Sequence, residues 1–114
     1  MDLREQAVEE IQTIPKKVAS ARRTIPYSEV TAQVQAVHLE PDSKLFAQML
    51  DEISRHSDEE GCGMLSAVVI HKGDDYLPGP GFFTLGRKLR RETSDKLLFH
   101  SAELLARVHN AFAR

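Results

Sequence analysis

The stretch Gly61 to Gly86, GCGMLSAVVIHKGDDYLPGPGFFTLG, holds all six glycines of the chain and two of its five prolines. So many chain-bending residues exclude one long helix and leave helical patterns only on either side. Met64 to Ile70, broken only by Ser66, is continuous rather than alternating, the pattern of a strand covered on both faces. His71 to Tyr76 carries turn chemistry, and Asp74-Asp75 reads as a solvated turn. Leu77-Pro78-Gly79-Pro80-Gly81 cannot be a central strand, because proline donates no ladder hydrogen bond, and is expected to be a rigid, extended loop. Phe82, Phe83, Leu85 and Leu89 resume helical spacing, with Arg87, Lys88, Arg90 and Arg91 on the other faces. Gly86 weakens that helix, so a short helix and a returning strand both stay open.

The flanks are helical. Met1 to about Arg22 places Ala7, Ile11, Ile14, Val18 and Ala21 at three- and four-residue steps. Its acids come early and its bases late, the order a helix dipole favours. Pro15 either kinks this helix or marks the first turn of a second one. Thr24 to Tyr27 is extended ahead of Pro26, and Ser28 is the expected cap of a helix over Glu29 to His38. Asp42 is the expected cap of the next, Asp42 to His56, whose buried stripe is Leu45, Phe46, Met49, Leu50 and Ile53. Thr93 or Ser94 caps a final helix in which Leu97, Leu98, Leu104, Leu105, Val108 and Phe112 form the buried side.

A chain of 114 residues is one domain, spanning 1–114, and can bury a core without staples. Without Trp that core is mainly aliphatic. One cysteine, Cys62, excludes an internal disulfide and fits a reducing compartment. No apolar run is long enough to span a bilayer and no signal core opens the chain, so a cytoplasmic protein without membrane contact is expected. The net charge of −2 is unevenly spread: residues 1–60 carry seven Lys/Arg against twelve Asp/Glu, residues 61–114 eight against five. The C-terminal half is mildly basic.

A helix–helix pair followed by a strand and a glycine-rich turn is the order of a winged helix-turn-helix domain. The expected class is therefore α+β, mainly helical with a small antiparallel sheet. Asp42 to His56 is its recognition helix, and the segment after Ile70 its wing. At Ile25-Pro26-Tyr27-Ser28-Glu29-Val30-Thr31 the chain resembles the I-P-x-G-x-V-T entry of the DNA-binding domain of the alkylguanine-DNA alkyltransferase family. Val68-Val69, the polar turn and Gly79-Pro80-Gly81 are similar to that family's strand and glycine-rich wing, so the resemblance spans about residues 24–91. It implies a winged-helix fold and DNA binding. The family's P-C-H-R motif, directly before two valines, is replaced by Leu65-Ser66-Ala67, so alkyl transfer does not carry over.

Other chemistries lack support. Cys62 sits among glycines and beside Asp58-Glu59-Glu60, which disfavours a thiolate. No two of the histidines His38, His56, His71, His100 and His109 stand three or four residues apart, and none joins Cys62 at zinc-ligand spacing. The acidic runs lack the alternating ligands of a calcium loop. Gly79-Pro80-Gly81 is neither a Walker loop nor a dinucleotide loop, and its proline removes an N–H that phosphate would use.

Two readings follow. In the first, the chain is a non-enzymatic module for double-stranded DNA that requires no cofactor and no metal. Ser43, Lys44, Gln48 and Arg55 face the groove, while Lys72, Arg87, Lys88, Arg90 and Arg91 hold the backbone. In the second it is a protein-interaction module, an adaptor or homodimer, that docks through its acidic half and Pro-Gly loop.

Overall fold

The computed structural model describes residues 2–73 and 76–113, and it begins with helix α1 (Leu3–Ser20). Asp2 caps this helix by accepting the Glu5 amide at 2.8 Å. Ala7, Ile11, Pro15 and Ala19 are its buried residues, four apart. A single helix therefore runs through Pro15, which lies on the packed face. Strand β1 (Ile25–Pro26) leads into α2 (Tyr27–Gln33). Ser28 lies inside α2 and does not cap it, and the helix stops five residues short of His38. The cause is Glu10 of α1, whose carboxylate accepts the Gln35 amide at 2.6 Å and the Ala36 amide at 2.9 Å. Those two N–H groups are drawn out of the helical pattern, and Val34 is extended.

Helix α3 (Lys44–Glu59) is capped by Ser43, one residue after the expected Asp42; its Oγ accepts the Phe46 amide at 3.2 Å. Phe46, Met49, Leu50 and Ile53 are buried as their spacing predicts, whereas Leu45 is exposed. The helix ends in a Schellman motif: Cys62 N–H reaches Ser57 O, Gly61 N–H reaches Asp58 O, and Gly61 takes the left-handed φ of 80°.

The apolar run is mostly not a strand. Leu65–Val68 is a buried 3-10 turn, and only β2 (Val69–Ile70) is extended. Ile25 pairs with Val69 and Pro26 with Ile70 in parallel, so the expected antiparallel sheet is corrected. The connection from β1 to β2 runs through α2 and α3, and a helical crossover of that length joins parallel strands. The described residues are mainly helical, with this one two-stranded sheet among them.

Among the described residues no second strand follows β2. His71 N–H closes a loop onto Leu77 O at 2.8 Å, and Asp74 and Asp75 lie outside the described residues. Gly79-Pro80-Gly81, expected as loop, instead opens helix α4 (Pro80–Lys88), with Pro80 in the first turn where a missing N–H costs nothing. Phe82, Phe83, Leu85 and Gly86 face inward. Gly86 is there for space, since a Cβ would lie 2.7 Å from Phe99 Cζ.

The last helix is continuous over residues 96–112: α5 (Lys96–Ser101), a π-helical stretch (Ala102–His109) and α6 (Asn110–Phe112). Asp95, rather than Thr93 or Ser94, caps it by accepting the Leu98 amide at 3.0 Å. Its phase differs from the one its leucines suggest. Phe99, His100, Glu103, Leu104, Val108 and His109 are buried, while Leu97, Leu98 and Leu105 are 60%, 68% and 54% exposed. The inward polar groups each satisfy backbone elsewhere. Glu103 accepts the Met64 amide at 2.8 Å, His100 Nε2 donates to Ala67 O at 2.8 Å, and His109 Nε2 donates to Arg23 O at 3.1 Å. The 3-10 turn leaves the Met64 amide and the Ala67 carbonyl without sheet partners, and buried backbone must be paired. The helix rotates to supply them. Among the described residues no helix is long and apolar enough to cross a membrane.

Candidate nucleic-acid interface

A cavity of about 230 Å³ lies between the start of α3 and the segment that runs from His71 into α4. Phe46, Leu50, Phe82 and Leu85 make its lining apolar, and Tyr27 and His71 form one wall. These two rings stack at 4.3 Å with 24° between planes, and Phe46 meets Tyr27 edge-on at 5.9 Å. The Tyr27 hydroxyl accepts the Gly79 amide at 2.7 Å. Burial raises its pKa above the ordinary value, and the Gly79 bond partly opposes that shift. A Cβ on Gly79 would stand 3.1 Å from His71 Nε2 and 3.4 Å from the Tyr27 oxygen, so glycine permits the close approach that seats this wall. His100, away from the cavity, has its pKa lowered by burial and by His109, against the Ala67 bond.

The cavity is bordered by the N-termini of both α3 and α4, where unpaired N–H groups concentrate. Ser43 lines it, with its hydroxyl committed to the Phe46 amide. Lys44 and Gln48 are exposed on the next stripe of α3, and Lys72 is exposed in the turn after β2. Asp42 and Asp51 also border the mouth. Arg55 binds Asp51 at 3.2 Å, and Arg4 of α1 binds Glu52 at 3.2 Å. Two of the four carboxylates of α3, Asp51 and Glu52, are thus paired within the protein, while Glu59 at its end stays exposed.

The basic cluster divides. Arg87, Lys88 and Arg90 are exposed around the end of α4. Arg91 is not available in the same way: it pairs with Asp58, lies 4.0 Å from buried Glu103 and is only 21% exposed. The reason is local. Arg90 adopts a left-handed φ of 64°, and Arg91 N–H returns to Gly86 O, a Schellman ending built without glycine. That turn throws Arg91 back against α3. The Arg91–Asp58 pair also ties the end of α4 to the end of α3, whereas their starts meet at the cavity. Ser43, Lys44 and Gln48 therefore belong to one end of this helix pair, and Arg55, Arg87, Lys88 and Arg90 to the other.

Tyr27, His71 and Phe46, which shape the cavity wall, carry no site signal in the sequence, where Phe46 reads as core and His71 as part of a turn. Cys62 sits half-buried in the turn after α3, with its thiol 3.8 Å from Glu60 O. No protein-family model, no characterised protein and no solved structure matches the chain.

Proposed function

We propose that the chain is a non-enzymatic module for double-stranded DNA that works on a winged-helix plan in the cytoplasm. Helix α3 lies toward the groove, and the segment 71–81 lies beside it against the backbone. The observation that carries this reading is the shared concavity: the start of α3 and the segment from His71 to Gly81 border one cavity, with Lys44, Gln48 and Lys72 exposed near it. Internal pairing of Asp51 and Glu52 removes much of the repulsion their helix would offer phosphate. Arg87, Lys88 and Arg90 add cations at the far end of the same helix pair. Arg91 has a structural role, because its charge is spent on Asp58.

Binding to a mixed-sequence duplex, followed by fluorescence anisotropy over a range of salt, tests the reading. The comparison is wild type against Arg87→Ala/Lys88→Ala/Arg90→Ala. For every phosphate that the variant no longer neutralises, the slope of log affinity against log salt should fall by about 0.9. No binding at low salt, or a variant whose slope equals that of wild type, would overturn the assignment. The rival reading, a protein-interaction module, draws on a different observation: the leucines left in solvent by the C-terminal helix.

A further inference from the structure

The rotation that turns His100, Glu103 and His109 inward leaves an uncharged strip on the outer face of the last helix. Leu97, Leu98, Ser101, Ala102, Leu105 and Ala106 are all exposed and follow one another along it. Leu97-Leu98 at one end and the smaller Leu105-Ala106 at the other flank a centre of small residues. Asp95 stands at the N-terminal end of the strip and Arg107 at its C-terminal end, and both are exposed. Arg107 pairs with Glu103 through Nε at 3.5 Å, and its side chain remains 52% exposed.

We propose that this strip is a homodimer interface in which two copies of the last helix pack antiparallel about a two-fold axis at Ser101. The pattern is self-complementary in that arrangement alone. With Ser101 on the axis, facing residues in the row 97-101-105 have numbers symmetric about it, and in the neighbouring row Leu98 lies against Ala106 across Ala102. Leu97 then meets Leu105 of the second copy, and Asp95 meets its Arg107. A parallel pairing would instead set Asp95 against Asp95 and Arg107 against Arg107. Asp95 and Arg107 are the two ends of the i+4 row that runs through Phe99 and Glu103; twelve residues of pure α-helix would turn them apart by about 120°, and the slower winding of the π-helical stretch Ala102–His109 brings them back to one flank. The two-fold therefore brings both opposite-charge pairs together at once. Antiparallel packing also aligns each helix's positive end with the negative end of its neighbour. Ser101 and Ala102 at the centre let the two backbones approach closely.

The size of the strip sets the strength. It covers one face of a single helix and so falls short of the roughly 800 Å² per partner of a standard stable interface. The dimer is consequently expected to form reversibly, so association is read over a range of protein concentrations. This proposal does not depend on DNA binding, and its test reads association directly.

Sedimentation velocity over a wide concentration range, on wild type and on Leu98→Glu, supplies the first readout. Leu98 is exposed in the protomer, so the variant should keep its far-UV circular dichroism and melting temperature. Wild type should pass from monomer to dimer, and the variant should weaken association by about a hundredfold or more, since each interface carries the substitution twice. The second readout fixes the register. In a Cys62→Ser background, Ser101→Cys should form an intermolecular disulfide under mild oxidation, because only residues near the axis come within the roughly 7 Å between Cα atoms that the bond allows. Gln48→Cys, exposed on α3, serves as the control and should not. A wild type that stays monomeric at every concentration overturns the proposal, as does a dimer that Leu98→Glu leaves intact. A dimer in which Ser101→Cys cross-links no better than Gln48→Cys overturns the antiparallel arrangement.

Discussion

Replacing Glu103 with leucine puts an apolar side chain at a buried position, which ordinary hydropathy reasoning would expect to stabilise the core. The structure leads to the opposite expectation. Glu103 is 2% exposed and accepts the amide of Met64, itself fully buried. Leucine would leave that N–H without a partner, and losing a charge-assisted bond in the interior costs about 1.5–3 kcal/mol. Arg91 keeps Asp58 and Arg107 is half-exposed, so neither becomes an isolated buried charge and the larger cost of a broken ion pair does not apply in full. The apolar gain from leucine offsets part of the loss, for a net destabilisation of about 2 kcal/mol. Glu103→Gln keeps an oxygen for Met64 and gives up only the charge, so it should cost about 1 kcal/mol. Urea denaturation followed by circular dichroism measures both. The expected order of midpoints is wild type, then Gln, then Leu. A leucine variant as stable as the glutamine variant, or more so, refutes the claim that Glu103 is held inside by Met64.

Three further outcomes follow from single residues. Gly63→Ala should destabilise by more than about 2 kcal/mol, because φ is 76° and a Cβ would stand 2.8 Å from Arg107 Cβ; Gly61→Ala, at φ 80° in open space, should cost only about 1 kcal/mol, and the difference between their denaturation midpoints checks this. Arg90→Gly relieves a left-handed non-glycine residue at φ 64° and should raise stability by up to about 1 kcal/mol, visible in a thermal melt; a lowered melting temperature would show that no strain is stored there. Burial lowers the pKa of His100 below the usual histidine value, so the folded state resists its protonation. Its contribution is complete above the ordinary value near 6.5 and is lost as pH falls from there toward the lowered folded value. His100→Gln, which can still donate to Ala67 O, should flatten that decline in stability between neutral and mildly acidic pH, and an unchanged slope would place the titration elsewhere.

What the sequence makes legible is whatever follows from one element alone. The stripe Phe46, Met49, Leu50 and Ile53 needs only helical periodicity, and it packs as its spacing predicts. The helical spacing of Phe82, Phe83 and Leu85 likewise outweighs Gly86. The misreadings come from partners distant in the chain. Helix α2 stops because of a carboxylate on α1, which nothing near Val34 announces. Met64 to Ile70 is buried at every position, so no alternation remains to separate a 3-10 turn from a strand. The last helix is phased by its leucines when read alone. In the fold it is phased by the buried backbone at Met64 and Ala67, which Glu103 and His100 pair, with His109 adding a bond to Arg23 O. In the basic cluster Arg91 reads like its neighbours, yet one left-handed residue turns it toward Asp58.

The rotation of the last helix underlies both the packing of the core and the proposed dimer, and single-cysteine labelling tests it directly. In a Cys62→Ser background, Leu98→Cys, Leu105→Cys, Leu104→Cys and Val108→Cys are reacted with a thiol reagent at concentrations low enough to keep protomers apart. Cysteines at 98 and 105 should react at nearly the rate of an unfolded thiol, and those at 104 and 108 only as fast as the protein opens. Rapid labelling at 104 and 108 with protection at 98 and 105 would return the leucines to the core and contradict the account.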